Sequence, residues 1–175
     1  MEKNLLPYYD GCFACSQTNP SGPQQRFSVK DGKVFSTFKP SKEFQGYENF
    51  VHGGIFSTIL DESMGWAATF RFHKFCKTVK LEIRFLKETP LGKTYTIESE
   101  FVKEMRGFWE ASGKVYDDEG TIYVRGVGLY YPLPYDFTRW AKDYLTYDEQ
   151  TIRIFDVSEG PRQGESPLEI DGEKK

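Results

Sequence analysis

The run FVHGGIFSTILDESMG, residues 50–65, combines residue types that could act together on a carbonyl group. Gly53 and Gly54 follow His52 and open an amphipathic stretch, and Asp61 comes about two helical turns later. The first N–H groups of a helix lack intrahelical partners and carry partial positive charge, so they can stabilise an oxygen that gains negative charge. A carboxylate on the same helix could act as base or nucleophile. An alternative without chemistry is that the glycines only permit a tight turn and that Asp61 is solvated or paired.

The spacing of apolar residues predicts a helix from about Gly53 to Phe70, which would position these groups. At about 100° per residue, Asp61 lies opposite a wide apolar arc and beside small residues. Solvated helix faces usually carry long polar side chains, so a face of small residues with one acid indicates that a ligand or another chain approaches it closely. Glu62 lies nearer the edge of the arc and could be solvated. The arc comprises Ile55, Phe56, Ile59, Leu60, Met64, Trp66, Ala67 and Phe70, and the small residues are Gly54, Thr58, Gly65 and Ala68.

Period-two alternation predicts strands before and after this helix. Hairpin-length connections between the later strands require antiparallel pairing, so helix and sheet can bury their apolar faces only against each other. The expected fold is α+β, with one long central helix wrapped by a curved antiparallel sheet of five to six strands. The expected segments are an irregular lead-in (1–32), this domain (33–133), an extension with a short helix that begins with Asp136 as its cap (134–157) and a disordered tail (158–175).

Composition excludes several classes of partner. The chain has 175 residues and a formal net charge of −3, which argues against nucleic acid because phosphate binding needs a concentrated basic face. No run approaches the roughly 18 apolar residues of a membrane span. The start MEKNLLPYYDG lacks a cationic segment followed by an apolar run, as a signal peptide would have. We therefore expect a cytoplasmic protein without a membrane partner.

Three cysteines, Cys12, Cys15 and Cys76, argue against a disulfide framework. Cys12 and Cys15 form a C-x-x-C, which could supply half of a zinc site or act as a redox pair, although a redox motif would normally follow a strand at a helix N-terminus. The other half would have to come from Cys76, His52, His73 or carboxylates. The turn-rich SQTNPSGPQQ that follows favours two cysteines that pack a loop, so the sequence predicts no metal and no cofactor.

Three motifs together resemble those of the hotdog-fold acyl-CoA thioesterases, in the branch related to the phenylacetate-pathway enzymes. VHGGIFSTILDESMG is similar to the helix signature of that family, and CFACSQTNPSG resembles its bacterial lead-in. KTVKLEIRFLKETPLG resembles the passage from the helix into an alternating strand and a Pro-Leu-Gly turn. The likeness runs from about Cys12 to Leu133.

This resemblance implies a homodimer or homotetramer that hydrolyses an acyl-CoA in an active site between subunits. Gly53 or Gly54 would polarise the thioester carbonyl, Asp61 would be base or nucleophile, and Thr78 would position the water or the carboxylate of the partner chain. His52 would shape the turn or touch the substrate. Further candidates for substrate contacts are Asn49, Glu62, Arg71 and Lys77, of which the last two could meet the phosphates of coenzyme A.

Two departures from the family pattern affect these roles. Several relatives carry Asn or Gln six residues before the histidine, where this chain has Gly46, so the water-orienting amide is not identified. Thr78 also shares strand parity with Lys80 and Glu82. It is therefore expected to line a site only where that face meets a partner subunit.

The sequence supports a thioesterase first and leaves two alternatives. One is a non-catalytic acyl-CoA sensor on the same fold, which would bind acyl-CoA without releasing thiol. The other is a hydratase of enoyl-CoA, although His52 beside a glycine pair fits that chemistry poorly. The aromatic residues populate core and turns, so they do not select the acyl group.

Overall fold

A computed structural model describes residues 4–155. The long helix α1 (Gly53–Phe72) packs against one antiparallel sheet, and the short helix α2 (Tyr135–Ala141) follows the last strand. The strands are β1 (Ser28–Lys30), β2 (Lys33–Phe38), β3 (Cys76–Phe85), β4 (Tyr95–Met105), β5 (Phe108–Tyr116) and β6 (Ile122–Pro132). The predicted α+β fold of one helix and five to six strands is confirmed. Strand β1 lies within the segment expected to be irregular.

The sheet has the order β1-β2-β4-β5-β6-β3, so β3 follows α1 in the chain but lies at the edge beside β6. Helix α1 packs across the sheet through its predicted apolar arc. Gly126 permits this close approach, because a Cβ there would lie 3.2 Å from Met64 Cε and 3.0 Å from Ile83 Cδ1. The helix contributes Phe56, Ile59, Leu60 and Met64 to the core, which pack with Tyr95, Ile97, Ala111, Val115 and Val124 of the sheet.

Strand β3 has a β-bulge at Val79, so its side chains do not alternate between the two faces of the sheet as predicted. Thr78 pairs with Tyr130, whereas Lys80 pairs with the preceding residue of β6, Leu129, so Val79 is an extra residue in the strand. Since a bulge shifts the alternation of side chains by one position, Thr78 points towards α1, as Leu81 does beyond the bulge. Thr78 therefore reaches the helix within its own chain.

The two ends of the described chain pack against each other. Leu5 forms bridges with both Ser28 and Thr151, and Tyr8 pairs with Thr146. The lead-in and the extension thus form a joint layer beside the sheet. The tail predicted for residues 158–175 lies outside the described residues.

Helix α2 and the end of α1 differ slightly from expectation. The cap of α2 is Pro134, which makes no side-chain cap hydrogen bond, and Asp136 lies in the first turn, where it pairs with Arg139. Helix α1 continues two residues beyond Phe70 and ends at His73, whose backbone is left-handed with φ 51°. Between residues 4 and 155, no helix has both the length and the apolar character that crossing a bilayer requires.

Candidate functional site

Asp61 lies on α1 beside β3 and β6, where two hydroxyl groups hold its carboxylate. Thr78 Oγ1 donates a hydrogen bond of 2.8 Å to Asp61 Oδ1. The Tyr130 hydroxyl lies 3.2 Å from the same Oδ1 and 3.0 Å from the Asp61 carbonyl oxygen. Within residues 4–155, no donor contacts Oδ2. One carboxylate oxygen is thus fixed in place while the other is left for chemistry.

Tyr130 is a site residue that the sequence analysis missed. Burial, followed by the negative charge of Asp61, raises the pKa of its hydroxyl, so Tyr130 stays protonated and acts as a donor at neutral pH. The alternation of residues in β6 could have indicated Tyr130. Gly126 and Gly128 share the parity of Tyr130, so a face that approaches α1 closely also carries this hydroxyl.

A cavity of about 140 Å³ adjoins Asp61. The aromatic rings of Trp66 and Phe75 form part of its wall. Phe75 is supported from behind by Phe155, whose ring stacks at 4.7 Å, and by Phe137 at 6.2 Å between ring centroids. The cavity is therefore polar at the carboxylate and apolar at its far end. Its lining comprises Asp61, Glu62, Gly65, Trp66, Thr69, Phe75, Cys76, Thr78 and Tyr130.

Of the two glycine N–H groups predicted to bind a carbonyl oxygen at the beginning of α1, only one is without an acceptor in residues 4–155. The Gly54 N–H donates a 3.0 Å hydrogen bond to Nδ1 of His52, which is the N-cap of the helix. The Gly53 N–H has no acceptor in the described part of the chain. Since Nδ1 of His52 accepts a hydrogen bond, the neutral ring carries its proton on Nε2.

Tight packing also explains the glycines near this helix end. A Cβ at Gly53 would lie 2.9 Å from Cζ of Phe85, and one at Gly46 would lie 2.9 Å from Cα of His52. Gly46 holds the position where several relatives carry an amide side chain. The close approach of His52 leaves no room for a side chain there.

Gly53 and Asp61 lie far apart within one chain. They are separated by eight residues of α1, or about 12 Å along the axis at about 1.5 Å per residue. The Gly53 amide does not line the cavity that contains Asp61. One chain therefore presents the two groups at separate places.

The remaining predicted contacts lie around the site but outside its cavity, apart from Glu62. Asn49 is exposed, has φ 67° and donates its N–H to Gln45 Oε1 at 3.2 Å. Arg71 is exposed in the last turn of α1, and Nζ of Lys77 lies 5.9 Å from the centroid of the Tyr131 ring.

Glu62 is enclosed rather than solvated. Its Oε1 accepts a 3.1 Å hydrogen bond from Trp66 Nε1, and its carboxylate lies close to the sulfurs of Cys12 and Cys15. Burial and the nearby charge of Cys12 raise the pKa of Glu62 to about 8. The hydrogen bond from the Cys15 thiol is the main reason that the pKa of Cys12 falls to about 6.

A second hollow, of about 230 Å³, lies away from α1, towards the outer face of the sheet. Several of its charged side chains pair with one another, since Glu98 is 2.8 Å from Lys33 and 3.0 Å from Lys114. The free oxygen of Asp61 makes the cavity beside α1 the stronger candidate for chemistry.

Comparisons with known proteins identify similar sequences and similar folds. Residues 48–124 match the family model described as Thioesterase superfamily. The chain is 28% identical to the acyl-coenzyme A thioesterase THEM4 of Mus musculus over 108 residues, which are 61% of this chain and 46% of the mouse protein. The chain spans about half the length of the curated relatives it matches.

Solved structures share the fold. The thioesterase superfamily protein RHA08564 has a TM-score of 0.64 and 24% identity, with 68% of this chain and 62% of that chain covered. A Streptococcus mutans protein bound to acetyl CoA has a TM-score of 0.56 and 22% identity, with 61% and 88% covered. The long helix and the antiparallel sheet that wraps it give the chain the hotdog fold, and residues 48–124 of that fold match the Thioesterase superfamily model.

Proposed function

We propose that this protein is an acyl-CoA thioesterase, which hydrolyses an acyl-CoA to a free acid and coenzyme A. The observation that carries the proposal is the Asp61 carboxylate on a cavity wall, with Oδ1 held by Thr78 and Tyr130 and Oδ2 without a partner in residues 4–155. The mouse relative is named for this activity, and the S. mutans structure holds acetyl CoA. Both are consistent with a thioester of coenzyme A as the substrate.

The complete site is proposed to form between two subunits. A single thioester carbon cannot contact Gly53 and Asp61 of one helix, because they lie about 12 Å apart along its axis. Two antiparallel copies of α1 around a two-fold axis would place Gly53 of one copy beside Asp61 of the other. The edge strand β3 suits such pairing, since Val79 and Phe85 on it are each 51% exposed.

The chemistry follows from these positions. The Gly53 N–H, with the partial positive charge of the helix end, stabilises the oxyanion that forms on the thioester carbonyl. Oδ2 of Asp61 either takes a proton from the attacking water or attacks the carbon itself to give an anhydride that water then opens. In both routes a C–O bond forms and the C–S bond breaks. The released thiolate of coenzyme A takes up a proton.

The cavity supports a small acyl group as the substrate. Its volume of about 140 Å³ is close to the roughly 150 Å³ of a protein cavity that accommodates benzene. Trp66 and Phe75 of the lining offer apolar contact, and the Phe155 ring stacks on Phe75. We infer a preference for a short or single-ring acyl group, with Arg71 and Lys77 as the predicted contacts to the phosphates of coenzyme A.

Release of free thiol from acetyl-, butyryl-, benzoyl- and octanoyl-CoA tests the proposal. The wild type is expected to release thiol, and Asp61→Asn to lower kcat at least about 100-fold while the variant still binds acyl-CoA. Asp118→Asn, in an exposed turn, is the matched control and should keep full activity. A wild type that binds acyl-CoA but releases no thiol would favour the sensor alternative.

A further inference from the structure

The N-terminal loop brings two cysteines against helix α1. Ligand atoms of Cys12, Cys15 and Glu62 all lie within 4.8 Å of one another. Cys15 is only 1% exposed, and Cys12 and Glu62 are partly buried. The three groups come from segments that are distant in sequence, so the fold itself assembles the cluster.

The loop around Cys12 is arranged to stabilise a thiolate. The N–H groups of Ala14 and Cys15 each donate to Cys12 Sγ at 3.3 Å. Two amides that converge on one sulfur orient it and compensate for negative charge, as outer-shell hydrogen bonds do for metal ligands.

The carboxylate of the cluster is held as well. Trp66 Nε1 donates to Glu62 Oε1 at 3.1 Å, which fixes the orientation of the carboxylate. Among ion pairs within residues 4–155, none involves Glu62. Two sulfurs and a carboxylate that come together without a cationic side chain are a donor set suited to a metal ion.

We propose that Cys12, Cys15 and Glu62 bind one thiophilic divalent cation of the zinc class. Two thiolates select a borderline-soft metal over magnesium or calcium, and ligand atoms within 4.8 Å of one another can reach one ion, with water as the fourth ligand of a tetrahedral zinc site. The ion would tie the loop at residues 12–15 to α1 beside Asp61. The sequence favoured cysteines that merely pack a loop, because Glu62 could not be recognised as their partner.

Metal content of the reduced 175-residue chain tests this site without reference to hydrolysis. The wild type, supplied with zinc and then passed over a desalting column, should retain about one zinc per chain by elemental mass spectrometry. Cys12→Ser and Glu62→Gln should each weaken zinc binding at least about tenfold in competition with a chelating dye. Cys76→Ser is the matched control, because Cys76 lines the neighbouring cavity but lies outside the cluster, and it should bind zinc as the wild type does.

Cobalt(II) gives a second readout that depends on the sulfur ligands. The wild type should show thiolate-to-cobalt charge-transfer absorption in the near ultraviolet, and Cys12→Ser should weaken it while circular dichroism shows that the variant is folded. The proposal is wrong if the folded, reduced wild type retains no zinc. It is equally wrong if Glu62→Gln binds zinc as tightly as the wild type, or if the cysteines form a disulfide in air and the reduced form takes up no metal.

Discussion

At the scale of single residues, the Gly53 amide can be tested separately from the space around it. Gly53 is the first residue of α1, where proline is tolerated, and His52 before it has the extended backbone that a following proline needs. Gly53→Pro removes the N–H, whereas Gly53→Ala adds a Cβ beside Phe85 but keeps the donor. We expect kcat of Gly53→Pro to be lower than that of Gly53→Ala by about 100-fold. Equal rates for the two variants would show that the amide is not used.

Tyr130 provides a second test at this scale. Tyr130→Phe removes the hydrogen bond to Asp61 Oδ1, and a bond to a charged group contributes about 1.5–3 kcal/mol. We expect kcat to fall roughly tenfold or more, with little change in KM, because the ring still fills its place. Tyr131→Phe, one position along β6 and 44% exposed, is the control. A kcat equal to that of the control would mean that Thr78 alone positions the carboxylate.

The local sequence indicated some residues of the candidate site and missed others. His52, the glycine pair and Asp61 are consecutive or share one helix, so their types and spacing are visible in a single window. Tyr130 and the partners of Glu62 come from β6 and the N-terminal loop. Their contacts depend on tertiary packing, which no window of sequence contains.

At the scale of elements, the extension behind the sheet is expected to limit the length of the acyl group. Phe75 lines the cavity, and the rings of Phe155 and Phe137 pack against it. Phe75→Ala should raise kcat/KM for octanoyl-CoA relative to butyryl-CoA by about tenfold, since a longer chain could enter the vacated space. Tyr144→Ala, also in the extension but 53% exposed and outside the cavity lining, is the control. Unchanged selectivity in Phe75→Ala would place the acyl group elsewhere.

An ion pair at the turn between β5 and β6 is expected to make the free energy of unfolding depend on pH. Buried Asp117 lies 2.6 Å from Lys93 Nζ and accepts a hydrogen bond from Tyr123, and the Lys93 ammonium is the main reason that its pKa falls from 3.8 to about 2. Because the folded pKa is depressed, this stabilisation is complete above about pH 4 and is lost as the pH falls through 2.

Thermal unfolding at a series of pH values checks this dependence. Asp117→Asn should lower Tm by roughly 5 °C or more at pH 7, and its gap to the wild type should shrink below pH 4. Asp118→Asn, next to it but exposed, should melt as the wild type does. A gap that stays constant down to pH 2 would contradict the assigned role of the Asp117 carboxylate.

Alternation and turn composition predicted the chain order of the main elements and their antiparallel pairing, but not that β3 pairs with β6 instead of β4, nor the local irregularity of β3. Nothing in the sequence marks the bulge at Val79, because the alternation of apolar and polar residues runs through it without a break. The bulge depends on how β3 pairs with β6. It reverses the face on which Thr78 lies. The parity that placed Thr78 away from α1 was therefore wrong, and the role of Thr78 beside Asp61 stays a prediction.

At the scale of the whole molecule, the separation of Gly53 and Asp61 makes the proposed enzyme an obligate assembly. We expect light scattering to give a mass of two or four chains. Charged substitutions on the exposed edge of β3, such as Val79→Lys, should lower both the mass and the rate of thiol release. Full activity in a monomer would contradict the two-subunit site.

A heterodimer of two inactive chains tests the central claim most directly. One chain carries Asp61→Asn and the other Gly53→Pro; two different tags and two purification steps isolate the mixed dimer. In the shared-site arrangement, one of its two sites has both an intact Gly53 amide and an intact Asp61, so it should release thiol from acyl-CoA at about half the wild-type rate. A mixed dimer as inactive as both homodimers would show that Gly53 and Asp61 do not act together across the interface.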